Sequence, residues 1–317
     1  MPKLRDLPRV VFVLGKGGVG RSTVSTSLAA LLASRGERVL VFEWTLEETI
    51  GPWFGQPPAG IEPQAVSDKL WVANFGLADS LRAYFVDHLG MGAFYRHVIH
   101  GRAVRRLVEA APGIAEMMFL GHVCWLSTLA AKEKGLEFDR VIVDTPAAGH
   151  GAALLDLPAT LGSMHASGLL GSEITRLGQM MSDPAWTGAL AVSLPEELAV
   201  EETLELVPKA TKSLGRPLLA VVLNRSAGQL RDEANPAWLG ALGGGVPEDV
   251  AGALHAVHDD LRGRLHFEAE LRRALEGTTE RGFVSLEEQL GLGGDSSPRG
   301  VVSALASALE ARLGGTR

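Results

Sequence analysis

The residues best suited to chemistry lie at 15 to 23, GKGGVGRST, directly behind the apolar run VVFVL and ahead of a stretch with helical apolar spacing. Gly15, Gly17, Gly18 and Gly20 suit a tight turn whose backbone N–H groups converge on phosphate oxygens, and a following helix adds the positive end of its dipole. Ser22 falls where such a loop offers a hydroxyl to Mg2+, and Val19, Arg21 and Thr23 complete the candidate contact set. Lysine normally stands at position 21. Its compact ammonium fits inside the loop, whereas arginine is longer, planar and donates in a fixed fork. The spacing therefore predicts phosphate binding, with the charge kept and its geometry changed.

Such a loop needs a strand to lead into it and a helix to receive it. The runs RVVFVL, RVLVFE, LWVANF, RVIVDT, ALAVSL and LLAVVLN are continuously apolar, as strands buried on both faces of a parallel sheet must be. Between the first two, Ser22 to Ser34 carries Val24, Leu28, Leu31 and Leu32 on one helical face, with Gly36 placed to end it. Strand and helix alternate, which predicts an α/β fold with a doubly wound, mostly parallel sheet. All 317 residues are read as one domain, with 46% apolar content to fill its core. Strand signals vanish from 77 to 135, which predicts an inserted helical subdomain. Residues 225 to 252 read as a long loop, and 293 to 300 as a linker before a C-terminal helix.

The formal charge of −7 argues against a dedicated nucleic-acid binder, which would carry a basic stripe. One cysteine, Cys124, excludes a disulfide framework and suits a buried small apolar residue. His97 and His100 form a lone pair, short of a metal site. No segment has the length and apolarity of a membrane span, and the N-terminus lacks a signal-peptide pattern, so a cytoplasmic protein without stable membrane insertion is expected.

Lysine at the second loop position, Lys16, resembles the deviant Walker A group of P-loop NTPases, which includes MinD, ParA, the nitrogenase iron protein and the arsenite-pump ATPase. The stretch FDRVIVDTPAAGHGAALLDLPATL narrows the likeness to the arsenite-pump and guided-entry ATPase family, as do APGIAEMM, VSLPEELAVEETLEL and VVLNR. The resemblance runs from about Val10 to Arg225. It implies ATP or ADP with Mg2+, a dimer, Lys16 reaching phosphates bound by the other subunit, and Mg2+ held by Ser22 and, through water, by Asp144. It also implies adenine reading by the amide of Asn224, which suits asparagine's joined donor and acceptor.

Two departures from that family bear on catalysis. Arg21 is one. The other lies in FEWTLEET, where Thr45 stands at the family's water-orienting Asp; threonine can donate to a water but cannot serve as its base. Glu43, two positions earlier, offers a shifted carboxylate, with Glu47 and Glu48 as further candidates. Losing one transition-state contact costs about 10² to 10³ in rate, so the chain alone is expected to hydrolyse ATP slowly or not at all. The dimer that the resemblance implies is then expected as a homodimer or as a heterodimer with a related active ATPase. One cysteine does not suit arsenite binding, and Met117, Met118, Phe119, Trp125, Met180 and Met181 suggest an adaptable surface for a hydrophobic protein client. The alternative is a MinD- or ParA-like positioning switch that uses VVSALASALEARL at a membrane surface.

Overall fold

The computed structural model describes residues 6–45, 48–76, 86, 113–128, 132, 135–146, 154–157, 168–227, 247–287 and 297–313. The strands are β1 (Val10–Gly15), β2 (Val39–Glu43), β3 (Gln64–Ser67), β4 (Leu70–Asn74), β5 (Arg140–Asp144), β6 (Thr187–Ser193), β7 (Ala220–Ser226) and β8 (Phe283–Glu287). The helices are α1 (Arg21–Ser34), α2 (Ile50–Trp53), α3 (Ile114–Leu126), α4 (Gly168–Ser182), α5 (Glu197–Leu214), α6 (Glu248–Ala274) and α7 (Pro298–Leu313). Among the described residues the strands form a single sheet in the order β3-β4-β2-β5-β1-β6-β7-β8. Every neighbouring pair is parallel except the β3–β4 hairpin at one edge.

All six strands read from continuous apolar runs are present, and every residue of β1, β2 and β6 is buried. Alternate side chains divide between two cores, as a period of two requires. Phe12 and Leu14 join the core containing Phe42, Phe119, Val123, Leu177 and Val207, whereas Val11 and Val13 join the one containing Val24, Leu28, Leu32 and Val41. The two strands not anticipated, β3 and β8, are at the sheet edges and alternate more and less buried residues. Edge strands of four or five residues lack the unbroken apolar run that marks a central strand.

Much of 77–135 lies outside the described residues, as do His97 and His100. Its described helix, α3, packs on the sheet: Phe119 stacks on Phe42 with ring centroids 5.0 Å apart, and Trp44 lies 5.1 Å from Phe119 and 4.9 Å from Phe75. Met118, Phe119, Cys124, Trp125, Met180 and Met181 are all buried there, and Met117 is partly buried against them. Burial of that apolar face offers more than exposure would, so Met118, Met180 and Met181 serve the core in this structure. Of the expected linker, 293–296 lie outside the described residues; Ser297 then accepts from the Gly300 N–H at 3.1 Å, with Pro298 at the first helical position, and so starts α7. Of the loop read at 225 to 252, residues 228–246 lie outside the described set, and helix α6 is already under way at Glu248.

Helix α7 lies on α1, with Leu305 and Leu309 in the second core and Val302 buried as well. Its apolar face is thus covered by the chain itself. Among the described residues no helix is long and apolar enough to cross a membrane.

Candidate functional site

The site gathers at the carboxyl ends of β1, β2, β5 and β7, where parallel α/β sheets place their ligands. The loop after β1 holds its shape through close approaches. A Cβ on Gly15 would lie 2.5 Å from the Val192 carbonyl oxygen, and one on Gly20 would lie 2.4 Å from Asn224 Nδ2. Gly20 also has φ 89°, a left-handed conformation that glycine adopts without strain. Helix α1 begins directly after it with no side-chain cap and no acidic residue in its first turn. Its free N–H groups and positive dipole end are therefore suited to an anion.

Beneath the helix start, Ser22 Oγ donates to Asp144 Oδ2 at 2.6 Å, joining the loop to the end of β5. Asp144 Oδ1 is buried without a hydrogen-bond partner among the described residues, and so is Glu43 Oε1. The two carboxyls belong to residues in direct register between β2 and β5. The orphaned Asp144 oxygen beside the Ser22 hydroxyl fits a hydrated divalent cation, whose waters would satisfy it. Burial pushes the Asp144 carboxyl up, opposed by the Ser22 hydroxyl and the Arg21 guanidinium. Burial, reinforced by Glu48 and Asp144, pushes Glu43 up to about 9. Without a cation beside it, that shift disfavours the carboxylate form of Glu43 and so weakens it as a base.

The two departures from the usual motif have defined partners. The Arg21 guanidinium donates to the Thr145 carbonyl and lies 3.5 Å from Thr145 Oγ1, which itself donates to the Val13 carbonyl at 2.8 Å. Burial lowers the Arg21 pKa, offset in part by Asp144. Thr45 and Asn74 exchange two bonds: the Thr45 N–H donates to Asn74 Oδ1 at 3.2 Å and Asn74 Nδ2 donates to the Thr45 carbonyl at 3.1 Å. Glu48 accepts from the Gly51 N–H at 2.6 Å and the Ala59 N–H at 2.9 Å, so its carboxylate fastens the following loop. Glu47 lies outside the described residues, as do Gly149 and His150.

Lys16 Nζ lies 3.0 Å from Glu202 Oε1 on α5 of the same chain, while Glu202 Oε2 is buried without a hydrogen-bond partner among the described residues. Asn224 Nδ2 donates to the Val19 carbonyl at 2.9 Å, so this amide braces the phosphate loop from β7. Gly17, Gly18, Val19 and Thr23 fall on the loop and the first turn of α1 as expected. Asn74 and Glu202 were not singled out beforehand: an Asn after a strand and a Glu on a charged helix carry no distinctive spacing.

A glycine-rich loop between a parallel strand and a helix, with its serine bonded to a strand-end carboxylate, defines an α/β protein of the P-loop class. The sequence profile of the anion-transporting ATPase family matches residues 8–167, and the chain belongs to that family. ATPase BagA of Mycobacterium tuberculosis is 29% identical over 226 residues, which cover 69% of this chain and 65% of that protein's length. The ATPase ASNA1 homolog of Trypanosoma cruzi is 28% identical over 283 residues, covering 67% of this chain and 74% of that one. The arsenical pump-driving ATPase of Escherichia coli is 29% identical over 168 residues, 51% of this chain and 28% of that protein.

Proposed function

We propose that the chain binds Mg-ATP and works as a dimeric, nucleotide-dependent switch or client-handling factor whose own hydrolysis is slow. The observation that carries the reading is the 2.6 Å bond from Ser22 to Asp144 beneath an uncapped helix start, with Asp144 Oδ1 left for a cation's water. Phosphates would be held by the loop N–H groups and Arg21, Mg2+ by Ser22 and Asp144, and adenine by Asn224. Slow turnover follows from three features: Arg21 is engaged by Thr145, Thr45 carries no carboxylate, and Glu43 favours its protonated form. Lys16 would act across the dimer after leaving Glu202. The partner is a second copy or a related, active ATPase whose site this Lys16 completes.

Calorimetric titration with Mg-ATP, paired with phosphate release from the purified chain, tests the reading. Saturable binding that Ser22→Ala weakens, with turnover far below that of an intact P-loop ATPase, is expected. Absence of binding overturns the nucleotide assignment, and brisk release overturns the slow-enzyme part of it.

A further inference from the structure

β7 is irregular where it meets the phosphate loop. Leu223 pairs with Ser285 and Ser226 with Glu287, so β7 has one more residue than β8 over this span. The bulge includes Arg225, whose φ of 51° is left-handed, a strained conformation for a residue with a side chain. Asn224 immediately precedes it and packs against Gly20, with Nδ2 on the Val19 carbonyl.

Helix α6 grips this bulge with three residues spaced four apart, which share one face. Arg264 donates to the Arg225 carbonyl at 2.6 Å. Glu268, 2% exposed, accepts from Ser226 Oγ at 3.0 Å. Arg272 donates to Glu268 at 3.1 Å and to the Ser285 hydroxyl on β8. The strained residue is thus tied from its carbonyl and from the next side chain, and the carboxylate that does so is itself held by a guanidinium.

We propose that the Arg264–Glu268–Arg272 face of α6 is the positioning element for the base end of the nucleotide site. It fixes the bulge, and the bulge sets the Asn224 amide. That amide gives one N–H to Val19 and one lone pair to the Arg225 N–H at 3.0 Å. Among the described residues these bonds leave that amide one donor and one acceptor, the pair that an adenine edge requires. The inference rests on the reading of the site as ATP-binding, and it gives the segment beyond β7 a task in selecting the base.

Calorimetry with Mg-ATP, Mg-GTP and Mg-tripolyphosphate on the full chain separates base positioning from phosphate binding. Arg264→Ala and Glu268→Ala are expected to weaken ATP about tenfold, as loss of a charge-assisted hydrogen bond does, and to bring ATP and GTP affinities together. Tripolyphosphate binding should stay within about twofold, because the loop N–H groups are untouched, and Arg264→Lys should recover most of the ATP preference. Should Glu268→Ala fail to fold, Ser226→Ala removes the same bond with a smaller change. Equal losses for all three ligands, or an unchanged ATP-to-GTP ratio, overturn the proposal. Wild-type protein that binds tripolyphosphate but shows no base preference overturns it too, whereas failure to bind any of the three removes the ATP-site reading itself.

Discussion

Arg21 occupies the position from which a P-loop normally presents a charge to phosphate, yet its guanidinium is turned to Thr145, the residue that follows Asp144. A phosphate entering the loop must compete with that carbonyl. Arg21→Lys removes the competition, because an ammonium is a compact point charge without the planar fork. The expected outcome is tighter Mg-ATP binding and turnover raised about tenfold or more, read by phosphate release; unchanged values would mean that Arg21 already serves the phosphates well. Glu43 gives a second residue-scale expectation. Its folded pKa of about 9 lies above the ordinary 4.5, so the folded chain holds this proton more tightly than the unfolded chain does. The stabilising share is complete below about pH 4.5 and is lost as pH rises toward 9, at no more than about 1.4 kcal/mol per pH unit. Glu43→Gln keeps the shape without the titration. Urea midpoints at pH 5, 7 and 9 should therefore fall less steeply for the variant than for the wild type, and parallel profiles would contradict the assignment.

Among the elements, α7 is the clearest case of a segment whose role depends on what it touches. Its apolar stripe, through Leu305 and Leu309, completes the core against α1, the helix that begins at the phosphate loop. Leu305→Ala should cost about 2 to 5 kcal/mol in denaturant unfolding, as buried leucine truncations do, with no change in liposome binding. A membrane anchor would give the reverse. The stripe was visible in the sequence, but periodicity reports only that a face is apolar and not what covers it. The same limit explains Met118, Phe119 and Met180, which are equally apolar in a core or in a groove. By contrast, β1, β2, β5 and the loop were legible because continuous Val and Ile runs and glycines at fixed spacing have few other uses. The bonds of Asn74, Glu202 and Glu268 were not, since each depends on residues far away in the chain.

At the scale of the molecule, the candidate groups among the described residues gather at the carboxyl ends of the parallel strands, and the loop lysine there is held by its own chain. If the proposed function holds, Lys16 would serve another subunit only after parting from Glu202, so the ion pair would compete with the dimer contact. Light scattering with Mg-ATP should then show weaker dimerisation for Lys16→Ala and stronger dimerisation for Glu202→Gln. A monomer in all three proteins would remove the dimer from the proposed function. Trp44 adds a consequence of another kind. Its indole is wedged between Phe75 and Phe119, one residue before Thr45 and on the same strand extension as Glu43. Any rearrangement of that segment changes the polarity around the ring, so the molecule carries its own optical gauge. The difference in emission between wild type and Trp44→Phe, followed in a stopped-flow instrument without any dye, would time the response of the segment to nucleotide.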